Sequence, residues 1–394
     1  MNNCLKNAFL LITLLLSCGG VAYSAELPSS SLSALTDVQK YERAIHIMAM
    51  LLVGFGFLMV FVRKYGRSAL TATYLLVSVS IPLYFLKSSV CASASGGEVI
   101  DQLILAEFAA ASLLICAGAV LGRLKMNQYL LLGLLFVPCY AFNEWVVLNG
   151  GLGLIAGKVV DTGGSIVIHA FGAIFGLGVA AAMTTPQEYA TTIECDDTSD
   201  RFSLLGSMVL WVFWPSFCAA LVAPVDVPKT AVNVILALCA STLATYFASV
   251  KLRGKIAAAD IANATLAGGV AIGSTCDSAT PATAFAIGLL AGVVSTFGFA
   301  ILQAKLTALT HKVDTCGVFY LHGLPGLCGG LAAMVVVAGI NVRAQLTGML
   351  VTIVIAAIAG LISGKVIALL GRRSVPYVDI EELEEASPIV EGAD

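Results

Sequence analysis

Charge is scarce in this sequence of 394 residues: Asp, Glu, Lys and Arg together make up 11% of it. Soluble domains carry about a quarter. With 59% hydrophobic residues and a mean hydropathy of +0.94, there is too little polar surface to face water on all sides, so lipid must solvate much of the chain. A net charge of −3 leaves no basic face for a nucleic-acid partner. The eleven cysteines form no CxxC pair and no metal-ligand spacing, and no nucleophile elbow, phosphate loop or zinc motif occurs. The sequence therefore points to no cofactor, no metal and no enzyme chemistry. Histidine is the rarest ionisable residue, with four copies.

The apolar run from Ala8 to Leu16, preceded by Lys6 and followed by small residues up to Ala25, is shorter than the roughly 20 residues that cross a bilayer. It reads as a cleavable secretory signal over residues 1–25, the alternative being an uncleaved extra span. Spanning segments are expected near 43–62, 69–86, 99–121, 128–148, 163–185, 203–223, 229–250, 258–275, 279–303, 316–340 and 345–371. Eleven crossings put the two termini on opposite faces. Arg63, Lys64, Arg67, Arg123, Lys125, Lys251, Arg253, Lys255, Lys305, Lys312, Arg372 and Arg373 all follow odd-numbered spans, which orients the N-terminus outside and the C-terminus in the cytoplasm. The acidic loop 186–202 dissents, but the rule counts cations. The expected organisation is a signal (1–25), a transmembrane domain (26–373) and an acidic cytoplasmic tail (374–394), read as flexible or as a contact strip for a neighbour. Cys91 and Cys276 fall in loops of one outer face and could pair as a disulfide in an oxidising compartment.

One pattern occurs twice. Asp161-Thr162-Gly163-Gly164 is followed eight residues after the aspartate by His169, and Asp314-Thr315-Cys316-Gly317 likewise by His322. Five spans separate the copies, so the second enters the membrane from the other side, as in an inverted-topology repeat whose functional residues sit near the midplane. Each histidine lies about 12 Å beyond its aspartate, inside the bilayer. An ionisable side chain there faces a bundle interior or a watery path. The two imidazoles are either core groups satisfied by carbonyls or paired groups along a path, able to accept a hydrogen bond from a small polar solute. The aspartates, at the starts of their spans, read as helix caps that can also ease the entry of a cation. The fold expected is all-α: an inverted repeat of five plus five helices and a final eleventh.

These motifs resemble the ammonium transporter/Rhesus (Rh) superfamily, its Rh branch in particular, through residues 161–177, WVFWPSF (211–217), NATLAGGVAIGS (263–274) and 314–330. The resemblance implies a homotrimer in a bacterial inner membrane, with one pore per subunit and ammonium or ammonia as solute. It implies that His169 and His322 are the paired pore histidines and that Phe108 and Phe217 are the stacked rings at the outer mouth. Asp161 would be the vestibule aspartate, Asp314 its pseudo-symmetric counterpart, and Glu144 an acidic residue near the entrance, with Glu107 beside it in role. The ammonium-transporter branch holds its cation with a tryptophan and a serine; Asn149 and Leu221 stand near those positions, so an external cation–π site is expected to be absent. Phe319-Tyr320-Leu321-His322-Gly323 also departs from the HNLHG common in Rh proteins.

Ammonium would reach the vestibule, pass the phenylalanines without its proton, and cross as ammonia along the histidines, because an unpaired ion entering low dielectric costs several kcal/mol or more. Three rivals remain: a carbon dioxide conduit of the same fold, a membrane haem or metal protein with His169 and His322 as axial ligands, and a sensor that signals through the acidic tail.

Overall fold

The computed structural model describes residues 29–88 and 96–384. The 1–25 leader reading and Cys91 lie outside these residues. Among the described residues, ten helices are long and apolar enough to cross a membrane: α1 (Leu32–Phe61), α2 (Gly66–Lys87), α3 (Glu98–Ala119), α4 (Met126–Leu148), α5 (Ser165–Met183), α6 (Asp197–Cys218), α7 (Pro224–Arg253), α9 (Pro281–Thr310), α10 (Phe319–Val336) and α11 (Val342–Ala368). The eighth expected span is present but broken. It consists of Ala258–Ala264 and Ala267–Ile272, together α8. The break falls where the Ser241 hydroxyl of α7 donates to the Thr265 carbonyl at 2.5 Å, diverting an acceptor the helix would otherwise use.

α1 starts eleven residues before the expected position. Asp37, Lys40 and Glu42 lie in that added stretch, and an apolar-run criterion stops at charge. α6 likewise begins early, because Asp196 accepts from the amides of Thr198 and Ser199 and so caps its first turn.

The repeat is visible in the packing. α2 packs on α3 and α4, and α3 on α5; correspondingly α7 packs on α8 and α9, and α8 on α10. α1 and α6 meet each other, and α11 closes the bundle against α5 and α4. Glycine allows the closest of these approaches. A methyl at Gly268 (α8) or Gly288 (α9) would collide with the Ala237 carbonyl of α7, and one at Gly360 (α11) with the Phe175 carbonyl of α5.

The loops after α1 and α5 share a face: the Arg63 amide donates to the Glu194 carbonyl at 2.9 Å, and its guanidinium lies 3.3 Å from Asp196. The dissenting acidic loop is thus held by a cation of the loop after α1. The described part of the tail is docked there too, rather than free. The Tyr377 amide donates to the Gly122 carbonyl at 2.7 Å, and the Tyr377 side chain is buried. The Asp379 amide donates to the Lys64 carbonyl, and its carboxylate accepts from the amides of Arg67 (3.2 Å) and Ser68 (2.8 Å), capping α2. Asp379→Ala is expected to lose about 1 kcal/mol of local stability, the usual worth of such a cap. Limited trypsin digestion at Arg373 should then run faster than in the parent, and equal rates would show the tail is held by Tyr377 alone.

Candidate functional site

The repeated motif has a local structural reason. In both copies the fourth residue, Gly164 (φ +77°) or Gly317 (φ +67°), adopts the left-handed conformation that turns the chain into its helix. The preceding aspartate then caps the helix start. Asp161 accepts from the amides of Ile166 (3.0 Å) and Val167 (2.8 Å), and from the Ser274 hydroxyl at 2.6 Å. Asp314 accepts from the amides of Val318 and Phe319, each at 3.0 Å. The first turn behind each cap is a wide π turn, Ser165–Ala170 and Phe319–Gly323, and each holds its histidine. Burial pushes both aspartate carboxyls up; the Ser274 hydroxyl and backbone amides pull Asp161 back, as amides and the Arg123 guanidinium do for Asp314. Asp161→Asn presents an amide N–H to donors. It is expected to cost about 2 kcal/mol, the range for bonds to a charged acceptor; denaturant unfolding in detergent measures it.

The two histidines meet. Nδ1 of His169 lies 3.2 Å from Nδ1 of His322, and the rings are parallel within 6° with centroids 5.2 Å apart. One nitrogen must carry the hydrogen and the other must be bare, so the pair cannot be doubly protonated without opposing two N–H groups. Nε2 of His169 is buried and has no hydrogen-bond partner among the described residues. A bis-histidine haem places iron between two nitrogens at about 2 Å from each. The observed gap leaves no room for that ion or its macrocycle, and the haem reading is set aside.

Above and below the pair, rings form one column. Phe108 and Phe217 lie 4.7 Å apart at 48°. Phe217 is 6.0 Å from His169, Trp214 stacks on His169 at 5.6 Å, and Phe55 stacks on His322 at 6.2 Å. Beneath His322 a narrow apolar void of about 20 Å³, walled by Leu114, Ile115, Val318 and Leu321, shares Phe61, Asn263 and Cys316 with a cavity of about 260 Å³ on the tail side. The sequence reading missed Trp214 and Phe55. Trp214 stood inside a quoted motif and could have been singled out; Phe55 sits in an ordinary apolar run.

The acidic residues separate. Glu144 is not an unopposed charge: it accepts from the Tyr84 hydroxyl (2.6 Å) and from Lys87 Nζ (2.8 Å). Glu107, next to Phe108 in sequence, is completely buried, and neither carboxyl oxygen has a partner. Cys276 is a buried free thiol.

A family model described as the Ammonium Transporter Family matches residues 8–386. The chain is 40% identical to ammonium transporter Rh type B of Homo sapiens over 310 residues, which is 76% of this chain and 66% of that protein, so it spans just under two thirds of that relative's length. The solved structure of Nitrosomonas europaea Rh50, reported with the mechanism of conduction by Rhesus-family channels, is similar at TM-score 0.86 and 52% identity, covering 90% of this chain and 94% of that one. Candida albicans Mep2 shares the fold at TM-score 0.70 and 16% identity, covering 85% of this chain and 83% of that one. The cap, turn and histidine blocks, the paired imidazoles and these likenesses converge: the chain belongs to the ammonium transporter family, in its Rh branch.

Proposed function

We propose that this membrane protein conducts ammonia, taking ammonium at one face and passing it without its proton. The observation that carries the reading is the histidine pair. Its members bond each other through Nδ1, which leaves Nε2 of His169 as an unsatisfied polar atom in a column of rings. A buried unmade hydrogen bond costs roughly 1–3 kcal/mol, so a small neutral solute that supplies it is stabilised there. Among the described residues, the void beneath His322 is lined by no acidic side chain, so an ion there would find little to replace its hydration.

On this reading Phe108 and Phe217 close the outer mouth, while Glu144 shares its charge with Lys87 and Glu107 is a buried carboxyl beside Phe108. Asp161 and Asp314 act as caps that fix where each imidazole sits. We further propose a homotrimer in a bacterial inner membrane, by analogy with the family, with the N-terminus outside as the Lys/Arg distribution orients it.

The test is stopped-flow measurement of internal pH in proteoliposomes. An outward ammonia gradient should change pH faster than in protein-free vesicles, while a carbon dioxide gradient gives equal rates in both. Acceleration by carbon dioxide alone would transfer the function to the other gas, and no acceleration by ammonia would end the proposal.

A further inference from the structure

A second polar cleft, separate from the pore, opens on the face opposite the tail. It has a volume of about 350 Å³ and lies between the N-terminal half of α1, the end of α6 and the start of α7. Arg43 lines it and is 9% exposed, and its Nε is buried without a hydrogen-bond partner. Two acids are near enough to act on Arg43 electrostatically, Glu42 and Asp101. Asp101 is taken by Lys40, 2.7 Å away. Glu42 is the next residue along the helix, and neighbours at i, i+1 do not face each other. Among the described residues, the guanidinium fork therefore lacks the bidentate oxyanion acceptor it is shaped for.

The rest of the lining says which acceptor fits. Glu42 is exposed and lines the same cleft, so one wall offers a cation and the rim an anion. Pro215, Pro224, Val227 and Pro228 supply an apolar edge, and Val225 beside them is 83% exposed. A free inorganic anion would be repelled by Glu42 and would gain nothing from that edge. A zwitterion with a phosphate and a primary ammonium, carried on acyl chains, matches all three parts.

From this juxtaposition we propose that the Arg43–Glu42 cleft binds the headgroup of an amino-phospholipid of the phosphatidylethanolamine type, with its phosphate on Arg43 and its ammonium on Glu42. The site has a route to the pore. His46 lines the cleft, stacks on Phe213 at 4.9 Å, and its Nδ1 is 2.9 Å from the hydroxyl of Ser216, the residue before Phe217. The proposal does not depend on which solute the pore conducts.

Native mass spectrometry of the detergent-solubilised full chain tests it, using phosphatidylethanolamine, phosphatidylcholine, phosphatidylglycerol and a phosphate-free monoglucosyl diacylglycerol with identical acyl chains. Phosphatidylethanolamine should bind about tenfold tighter than phosphatidylcholine, whose quaternary amine cannot donate, a difference typical of one charge-assisted hydrogen bond. Arg43→Gln should lose about tenfold for every phospholipid, while Arg43→Lys, which keeps the charge without the fork, falls between. Glu42→Gln should abolish the preference for phosphatidylethanolamine over phosphatidylglycerol and leave the phosphate contribution intact. Equal binding of the phosphate-free lipid, unchanged binding in Arg43→Gln, or no lipid retained by the parent protein would each overturn the assignment.

Discussion

Replacing His169 with alanine is expected to lower ammonia flux in proteoliposomes about tenfold, the kinetic equivalent of one net hydrogen bond of about 1.4 kcal/mol. The substitution removes the unpartnered Nε2 and also deprives His322 Nδ1 of its mate, so the passage loses the polar site and the group that orients its neighbour. Trp214 would lose the ring it stacks on at 5.6 Å and border the gap. His322→Ala should act in the same direction and by a similar factor, because the two rings work as one bonded unit; the double variant should therefore lose less than the product of the single losses. His311→Ala is the control. That histidine packs edge-on against Tyr189 at 4.8 Å, outside the ring column, and its loss should leave flux within experimental scatter. Parent-like flux in both pore variants would show that the imidazoles only fill space.

The second large effect concerns packing. Gly268→Leu is expected to prevent recovery of folded protein, and Gly268→Ala to cost about 1–3 kcal/mol, the range for overpacking a well-filled interior. The reason is the identity of the obstructing atom. At Gly268 a β-carbon meets the Ala237 backbone carbonyl and the Ser241 hydroxyl, and Gly288 presses on the same carbonyl from another helix. Ala237 cannot retreat from one without striking the other. At Gly56, by contrast, the nearest obstacle is the flexible end of Leu70 at 3.2 Å, so Gly56→Ala should lower the thermal midpoint much less. Size-exclusion chromatography after a temperature series ranks the three. Matching midpoints for Gly56→Ala and Gly268→Ala would mean the α7–α8 contact yields easily.

How much of this was legible in the sequence follows from what each feature costs in residues. The spans were readable because apolar length is a compositional signal. The two misplaced helix starts, at Leu32 and Asp197, are those whose opening turns reach charge early, at Asp37 and Lys40 in one and at Asp197 and Asp200 in the other. The duplicated aspartate, glycine and histidine were readable because the left-handed turn and the capped π turn need those residue types at that spacing, twice. The meeting of the rings could be expected but not measured. Features made by a partner far along the chain were invisible: Lys87 neutralising Glu144, Trp214 lying on His169, and the break in α8 set by Ser241. None of these leaves a local pattern, since each depends on which helices become neighbours. The docked tail was misjudged for the same reason. Its acidic composition suggests solvation, yet Tyr377 and Asp379 find a pocket and a helix end that residues 64–68 and 122 supply.

That docking has a consequence for biogenesis. The first turn at Arg67 and Ser68 receives its acceptor from Asp379, 311 positions beyond Ser68. During synthesis α2 is therefore made long before its acceptor, and the rim it shares with the tail can be finished only once residue 379 has been added. Insertion and completion of this helix are thus separate events.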